Sequence, residues 1–84
     1  MNVLTVNRED NIVLVKLNTK LYKLDSILKV AQAFTGACKV DVGGDAESSV
    51  QVKLKPKSKN IQINKVGLEF LNHVLADMKI DEDL

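Results

Sequence analysis

The sequence predicts a small α+β domain of order ββαββα, a two-layer sandwich with two helices on one face of a four-stranded, mostly antiparallel sheet. Two segments, near residues 24–34 and 64–78, repeat apolar residues with the helical period, and four short runs carry strand-like patterns. The chain has 84 residues, 45% of them hydrophobic and 27% charged. This composition is typical of a globular chain, and the length predicts a single domain over residues 1–84 with one core.

The first two strands are predicted as a hairpin. Val3 to Val6 is rich in β-forming residues, the polar segment 7–11 is typical of a turn, and Ile12 to Leu17 forms the second strand. Because residues 12–15 are all apolar, this strand has two apolar faces and is predicted to be central. Its outer face is either partly covered by lysine stems or packed against the sheet of a second copy.

The first helix is predicted over residues 25–35. Asp25 or Ser26 is the expected N-cap, since a side-chain oxygen satisfies a free amide of the first turn. Gly36 is expected to end the helix in the left-handed conformation. The residues expected on its buried face are Leu24, Ile27, Leu28, Ala31 and Phe34.

The third and fourth strands alternate apolar and polar residues. The third runs from Cys38 to Val42, a turn is predicted at 43–48, and the fourth begins at Val50 and ends at Pro56, which has no backbone donor. The simplest arrangement places strand four between strands two and three, giving the sheet order 1-2-4-3. This is a circular permutation of the ferredoxin-like arrangement, and the crossover through the first helix should be right-handed.

The second helix is predicted to begin near Ile63 or Asn64. Phe70 should meet Phe34 in the core, and residues 81–84 should form a frayed tail. The buried stripe of this helix is predicted to consist of Val66, Phe70, Leu71, Val74, Leu75 and Met78.

Charge and cysteine content narrow the functional classes. The net charge is +1, which argues against a strongly basic nucleic-acid binder but allows a local basic patch. One cysteine and one histidine provide neither an internal disulfide nor a structural zinc set, so no metal or cofactor is predicted. The chain shows no signal-peptide pattern and no apolar run long enough for a membrane span, so a cytoplasmic location without membrane contact is predicted.

Lysines at every second position are predicted to make one sheet face basic. Such a face can follow a phosphate backbone or an acidic protein surface, or it can simply keep an exposed strand soluble. Few aromatic residues are present for stacking on bases. The candidate partner-binding residues on this face are Lys16, Lys39, Lys53, Lys55 and Lys57.

Cys38 and His73 are the only candidates for nucleophilic catalysis. Cys38 alternates with polar residues and should point into the core, which is the usual position of an unreactive thiol. His73 should lie on the polar side of the last helix. A catalytic thiolate needs a nearby base and an electropositive, open setting, so no catalytic residue is predicted.

Four segments together resemble a known family. Residues 21–25 (Leu-Tyr-Lys-Leu-Asp) are followed by Ala33-Phe34, by residues 54–57 (Leu-Lys-Pro-Lys) and by residues 69–75 (Glu-Phe-Leu-Asn-His-Val-Leu). This pattern is similar to HxsD, the small accessory protein of His-Xaa-Ser peptide maturation systems. The resemblance implies a protein that accompanies radical S-adenosylmethionine proteins acting on a ribosomally made peptide, and it implies no catalytic residues.

These observations leave three functional hypotheses. The first is a non-enzymatic accessory or adaptor protein that binds a protein or peptide, with the edge of the first strand, Val3 to Val6, receiving a peptide by strand addition. The second is a small nucleic-acid-binding module that uses the lysine-rich face. The third is an enzyme acting through Cys38 and His73. A homodimer is compatible with each of them.

Overall fold

The computed structural model describes residues 3–82, with the side chains of residues 3–79. Its elements follow the predicted order. They are β1 (Leu4–Asn7), β2 (Ile12–Asn18), α1 (Leu24–Ala33), a 3-10 turn (Phe34–Gly36), β3 (Cys38–Asp45), β4 (Ser49–Pro56) and α2 (Ile63–Glu82).

The four strands form one sheet in the order β1-β2-β4-β3, and every neighbouring pair is antiparallel. The predicted fold class and strand order are therefore confirmed. The register places apolar residues opposite apolar residues: Val15 lies between Leu4 and Val52, and Leu54 lies between Val13 and Val40. Because side chains alternate across a strand, these apolar residues all point to the same face of the sheet.

The core lies between that face and the two helices. α2 contacts β2, β1 and β4, whereas α1 contacts α2 and β3. Alternation along β2 and β4 and the helical stripe of α2 supply most of its members, as the sequence predicts. The buried apolar residues are Val13, Val15, Leu17, Ile27, Val30, Ala31, Cys38, Val50, Val52, Leu54, Val66, Phe70 and Val74.

The predicted contact between the two phenylalanines is confirmed. The ring centroids of Phe34 and Phe70 are 5.2 Å apart and the ring planes are inclined at 77°, an edge-to-face pair. Phe70 is fully buried, whereas Phe34 at the end of α1 is half-buried. The pair therefore joins the end of α1 to the middle of α2.

The predicted bounds of α1 lie within two residues of those in the structure, but both predicted caps are wrong. The helix begins one residue earlier, after Lys23, and no side chain caps it; Ser26 is buried inside the helix and bonds to α2 instead. At the other end Gly36 is not left-handed, since Gly44 alone among the described glycines has a positive φ. The chain continues as a 3-10 turn in which the Ala37 amide donates to the Phe34 carbonyl at 3.1 Å, so the helix end is satisfied without a left-handed residue.

β3 extends further than predicted, through Gly43 and Gly44 to Asp45, and only residues 46–48 form the turn. Gly44 adopts a φ of 97°, and a Cβ there would lie 2.6 Å from the Ser49 carbonyl oxygen. Gly43 and Gly44 therefore lie within the paired strands of the hairpin rather than in an open loop.

The remaining predicted ends are close to those of the structure. β4 ends at Pro56 and α2 begins at Ile63, as predicted. α2 continues through Asp81 and Glu82, which the sequence assigns to a tail, while Asp83 and Leu84 lie outside the described residues.

Candidate binding surfaces

The face of the sheet turned away from the helices carries four of the five candidate lysines. Lys16 lies opposite Gln51, Lys53 lies between Leu14 and Asp41, and Lys39 lies directly opposite Lys55. All four lysines are exposed. We call Lys16, Lys39, Lys53 and Lys55 the lysine face.

Lys57, the fifth candidate, lies beyond the end of β4. Its ammonium donates to the Thr35 carbonyl at 2.8 Å, and its amide donates to the Ala37 carbonyl at 2.9 Å. A cation at the carbonyl end of a helix is favourably placed, because the free carbonyls there carry partial negative charge. The structure thus directs the charge of Lys57 toward the end of α1 and away from the lysine face.

The lysine face also contains apolar and acidic groups. Ile12 and Leu14 are half-buried between the surrounding stems, and Leu14 borders a shallow depression with Asp41 and Lys53. No aromatic ring lies on this face among residues 3–82, since the sheet residues there are otherwise polar and the rings of Tyr22, Phe34 and Phe70 pack with the core. The face therefore offers positive charge and a small apolar centre, but no ring for stacking on bases.

β1 forms one open edge of the sheet. The Lys16 amide donates to the Val3 carbonyl at 2.7 Å, so these two residues form a hydrogen-bonded pair. Because bonded and non-bonded pairs alternate in an antiparallel ladder, Leu4 and Val6 belong to non-bonded pairs with β2. Their amides and carbonyls therefore point away from the sheet. We call this outward-facing backbone of Leu4 and Val6 the β1 edge.

The side of α2 above this edge is apolar and exposed. With about 100° per residue, Leu71, Leu75 and Leu68 lie progressively further round the helix from Phe70 on one side. His73 and Asp77 lie on the other side, where they contact α1. Because α1 lies toward β3, the leucine side lies toward β1. Leu68 is 53% exposed, Leu75 is 44% exposed and Leu71 is half-buried. We call these three leucines the α2 flank.

Gly67 brings α2 close to the edge strand. A Cβ at this position would lie 3.0 Å from a Val13 methyl carbon and 3.1 Å from a Leu4 methyl carbon. The absence of a side chain therefore lets the helix lie low over β1 and β2. Val6, on the same side of the sheet, remains 38% exposed. Apolar groups of β1 and of α2 thus lie together on the helix side of the open backbone.

Sequence reasoning missed the α2 flank because it assigned Leu71 and Leu75 to the core stripe. Two signals could have revealed it. Viewed down the helix axis, the apolar residues cover a sector, with Val66 at one border and Leu68 at the other, that is wider than one buried stripe requires. The leucines at 68, 71 and 75 are also spaced by three and four residues, which places them on one side of the helix. The predicted burial of Leu75 is wrong, and so is that of Leu28, which is 45% exposed.

An open groove between α1 and α2 contains a polar cluster formed by Ser26, Lys29 and Asp77. The buried Ser26 hydroxyl donates to Asp77 Oδ2 at 2.6 Å, and Lys29 Nζ lies 3.5 Å from Asp77 Oδ1. The Ser26 hydrogen bond, with help from Lys29, holds the pKa of Asp77 below its ordinary value. The His73 ring is exposed and lies edge-on to Phe34 with centroids 5.6 Å apart. Since the carboxylate is already bonded to α1, the cluster joins the two helices.

Cys38 is the first residue of β3, and its side chain is buried in the core, as predicted. Burial raises the pKa of its thiol, an effect that the positive charge of Lys57 partly opposes. His73 lies in the groove between the helices, and within residues 3–79 no hydrogen bond joins the two side chains. The structure therefore does not bring together a thiolate and a base.

Neither a metal site nor a membrane span is found in the described part of the chain. Among the described side chains, no three His, Cys, Asp or Glu residues cluster closely enough to hold a metal ion. Within residues 3–82, neither helix combines the length and apolar character that crossing a membrane requires.

Comparisons of the chain with protein-family models, with curated proteins and with solved structures find no match. Its function is therefore inferred from the placement of its own residues.

Proposed function

We propose that this protein is a non-enzymatic adaptor that binds an extended segment of a peptide or protein partner as an additional strand on β1. The observation that carries the proposal is the outward-facing backbone of Leu4 and Val6 beside the exposed α2 flank. Unpaired amides and carbonyls at a sheet edge supply main-chain affinity, and a neighbouring apolar surface supplies side-chain specificity.

The geometry specifies the chemistry of the bound segment. In an added strand, every second side chain points to the helix side of the sheet. Those side chains lie beside Val6 and the α2 flank, so they should be apolar. The intervening side chains lie beside Thr5 on the other face, with Lys16 one strand further in. A partner that alternates apolar with polar or acidic residues fits both faces.

The resemblance to HxsD supplies a biological setting for this binding. The segments that carry the resemblance include residues 69–75, within which two leucines of the α2 flank, Leu71 and Leu75, lie. In this setting the adaptor would accompany a radical S-adenosylmethionine protein, and its partner would be that protein or the ribosomally made peptide. The genes next to this one provide a direct check, since a radical S-adenosylmethionine protein encoded there would support the setting.

A peptide-display selection with the wild-type protein tests the binding mode. We expect enriched peptides with alternating apolar residues whose affinity falls at least tenfold in Val6→Pro and in Leu75→Glu. The proline removes an outward-facing amide while leaving the ladder to β2 intact, because the Val6 amide does not bond to β2. Thr5→Pro would not serve, since it removes a bond within the sheet.

The matched control is Lys53→Glu, which changes the lysine face and leaves β1 and α2 untouched. Its affinity for the selected peptides should match that of the wild type. Peptides that bind Val6→Pro and Leu75→Glu as tightly as the wild type would contradict strand addition at β1.

A second candidate function is nucleic-acid binding, which the four exposed lysines on one sheet face favour. It predicts a complex with single-stranded RNA or DNA that weakens steeply with salt and is lost in the double variant Lys53→Glu, Lys55→Glu. The lack of aromatic rings among the described residues of that face is why we place this function second. If single-stranded RNA and DNA show no mobility shift with the protein at low salt, this second function is contradicted.

A further inference from the structure

β3 forms the other open edge of the sheet, opposite β1. The Lys57 amide donates to the Ala37 carbonyl at 2.9 Å, so residues 37 and 57 form a bonded pair. By alternation, residues 39 and 41 also bond to β4, whereas Cys38, Val40 and Val42 direct their amides and carbonyls outward. Val42 is 41% exposed. This edge therefore offers three consecutive sites for main-chain pairing.

We propose that β3 pairs antiparallel with β3 of a second copy, in the register that places Val40 opposite its own counterpart. In this register Lys39 lies opposite Asp41 of the second copy, and Asp41 lies opposite Lys39. Cys38 and Val42 pair in the same way on the helix side. The edge is thus complementary to itself in charge, as a two-fold interface requires.

The hydrogen-bond pattern fits this register. Cys38, Val40 and Val42 would each exchange bonds with the opposite strand, giving two bonds at each of three outward-facing residues. Lys39 and Asp41 would form the non-bonded pairs, in which facing side chains lie closest together. The two opposite charges on each side of the axis therefore meet where the ladder is narrowest.

The neighbouring registers are unfavourable. Moving the axis to Lys39 or to Asp41 places two like charges opposite each other. Moving it to Val42 places Gly44 within the ladder, and its φ of 97° takes the chain out of the extended conformation. Only the axis at Val40 combines extended backbone with opposite charges.

Within one protomer, the position of Lys39 in the sheet is electrostatically unfavourable, and an acidic partner would offset this. Within the sheet Lys39 faces Lys55, a like charge that is unfavourable across a strand pair. Asp41 of a second copy would supply the missing negative charge. The resulting eight-stranded sheet would leave both β1 edges free at its ends, so the dimer is compatible with the peptide binding proposed above and does not depend on it.

Sedimentation velocity across a concentration series tests the dimer. We expect wild-type protein to shift toward twice the protomer mass of 9.3 kDa as concentration rises. Lys39→Asp and Asp41→Lys should each raise the dissociation constant at least tenfold, because each creates two like-charge pairs. The double variant Lys39→Asp, Asp41→Lys should restore the dimer, which a general loss of folding would not do. Circular dichroism of each variant establishes that it is folded.

Cysteine cross-linking tests the register. On a Cys38→Ala background, Val40→Cys should form an intermolecular disulfide under mild oxidation, since facing residues in a ladder lie within disulfide range. Val42→Cys on the same background should not cross-link to itself, because the alanine introduced at position 38 of the second copy lies opposite it. Val6→Cys provides a control at the other edge. A protein that remains monomeric at millimolar concentration, or one that cross-links through position 42 or position 6 instead of position 40, would overturn the proposal.

Discussion

Ser26 of α1 and Asp77 of α2 are joined by a 2.6 Å hydrogen bond, although 51 residues separate them in the chain. The serine is fully buried and the carboxylate is partly exposed. Together with the Lys29 ammonium, which lies 3.5 Å from the same carboxylate, this bond forms a polar link between the two helices. It also lowers the pKa of Asp77, which makes helix docking sensitive to pH.

The stability of the protein should therefore fall on the acid side through Asp77. Because its folded pKa lies below the ordinary value near 3.8, the contribution of the group is complete above that value and is lost as the pH falls through the lower folded pKa. Asp77→Asn and Ser26→Ala should both lower the free energy of unfolding at pH 7 and flatten its decline below pH 4.

Urea unfolding at a series of pH values measures this effect. Ser48→Ala, an exposed hydroxyl in the β3–β4 turn, is the control and should keep the wild-type profile. An Asp77→Asn protein whose stability declines with acid as steeply as the wild type would show that another carboxylate is responsible.

Much of this fold follows from side-chain periodicity, since alternation along β3 and β4 and the helical stripe of α2 decide which face of each element is buried. The strand order followed because β2 is apolar on both faces, which predicts a central position, and because placing β4 between β2 and β3 was the simplest arrangement. The N-cap of α1 was predicted wrongly for a physical reason: Ser26 is a good cap in isolation, but burial against Asp77 gives its hydroxyl a better-defined partner. Local sequence does not record such a contact.

The candidate site was only partly accessible from sequence for the same reason. Spacing by two correctly placed Lys53 and Lys55 on one face, but it also included Lys57, whose ammonium is bound by the Thr35 carbonyl beyond the end of the strand. The exposure of Leu68 and Leu75 depends on how α2 is rotated over the sheet. That rotation depends on the close approach at Gly67, which a periodicity argument does not contain.

Phe70 should dominate the stability of the core. Its ring is fully buried and contacts Phe34, so Phe70→Ala should lower the free energy of unfolding by about 3–5 kcal/mol. Leu68→Ala on the same helix is the control. Because Leu68 is 53% exposed, this substitution should change the free energy of unfolding by no more than about 0.5 kcal/mol. Urea titration of the two variants checks both values, and a cost below about 1 kcal/mol for Phe70→Ala would contradict this packing.

The two adjacent glycines of β3 should respond differently to substitution by alanine. At Gly44 the φ of 97° and the 2.6 Å approach of a Cβ to the Ser49 carbonyl predict a loss of about 1–3 kcal/mol. At Gly43 a Cβ meets nothing within 4 Å, so the alanine should be neutral or slightly stabilising. Thermal unfolding of the two variants measures the difference. Equal effects at the two positions would mean that the hairpin does not depend on the left-handed residue.

The Cys38 thiol should be inert in the folded protein. It is 2% exposed, and burial raises its pKa, so both access and the fraction of thiolate are low near neutral pH. Labelling with a thiol reagent at pH 8 should be slow and should accelerate by orders of magnitude in concentrated urea, following the fraction of unfolded protein. His73→Ala is a matched test of the enzyme hypothesis: a base acting on the thiol would make native labelling slower in that variant. We expect the same rate in both proteins, and rapid labelling of the native wild type that depends on His73 would restore a catalytic role for this pair.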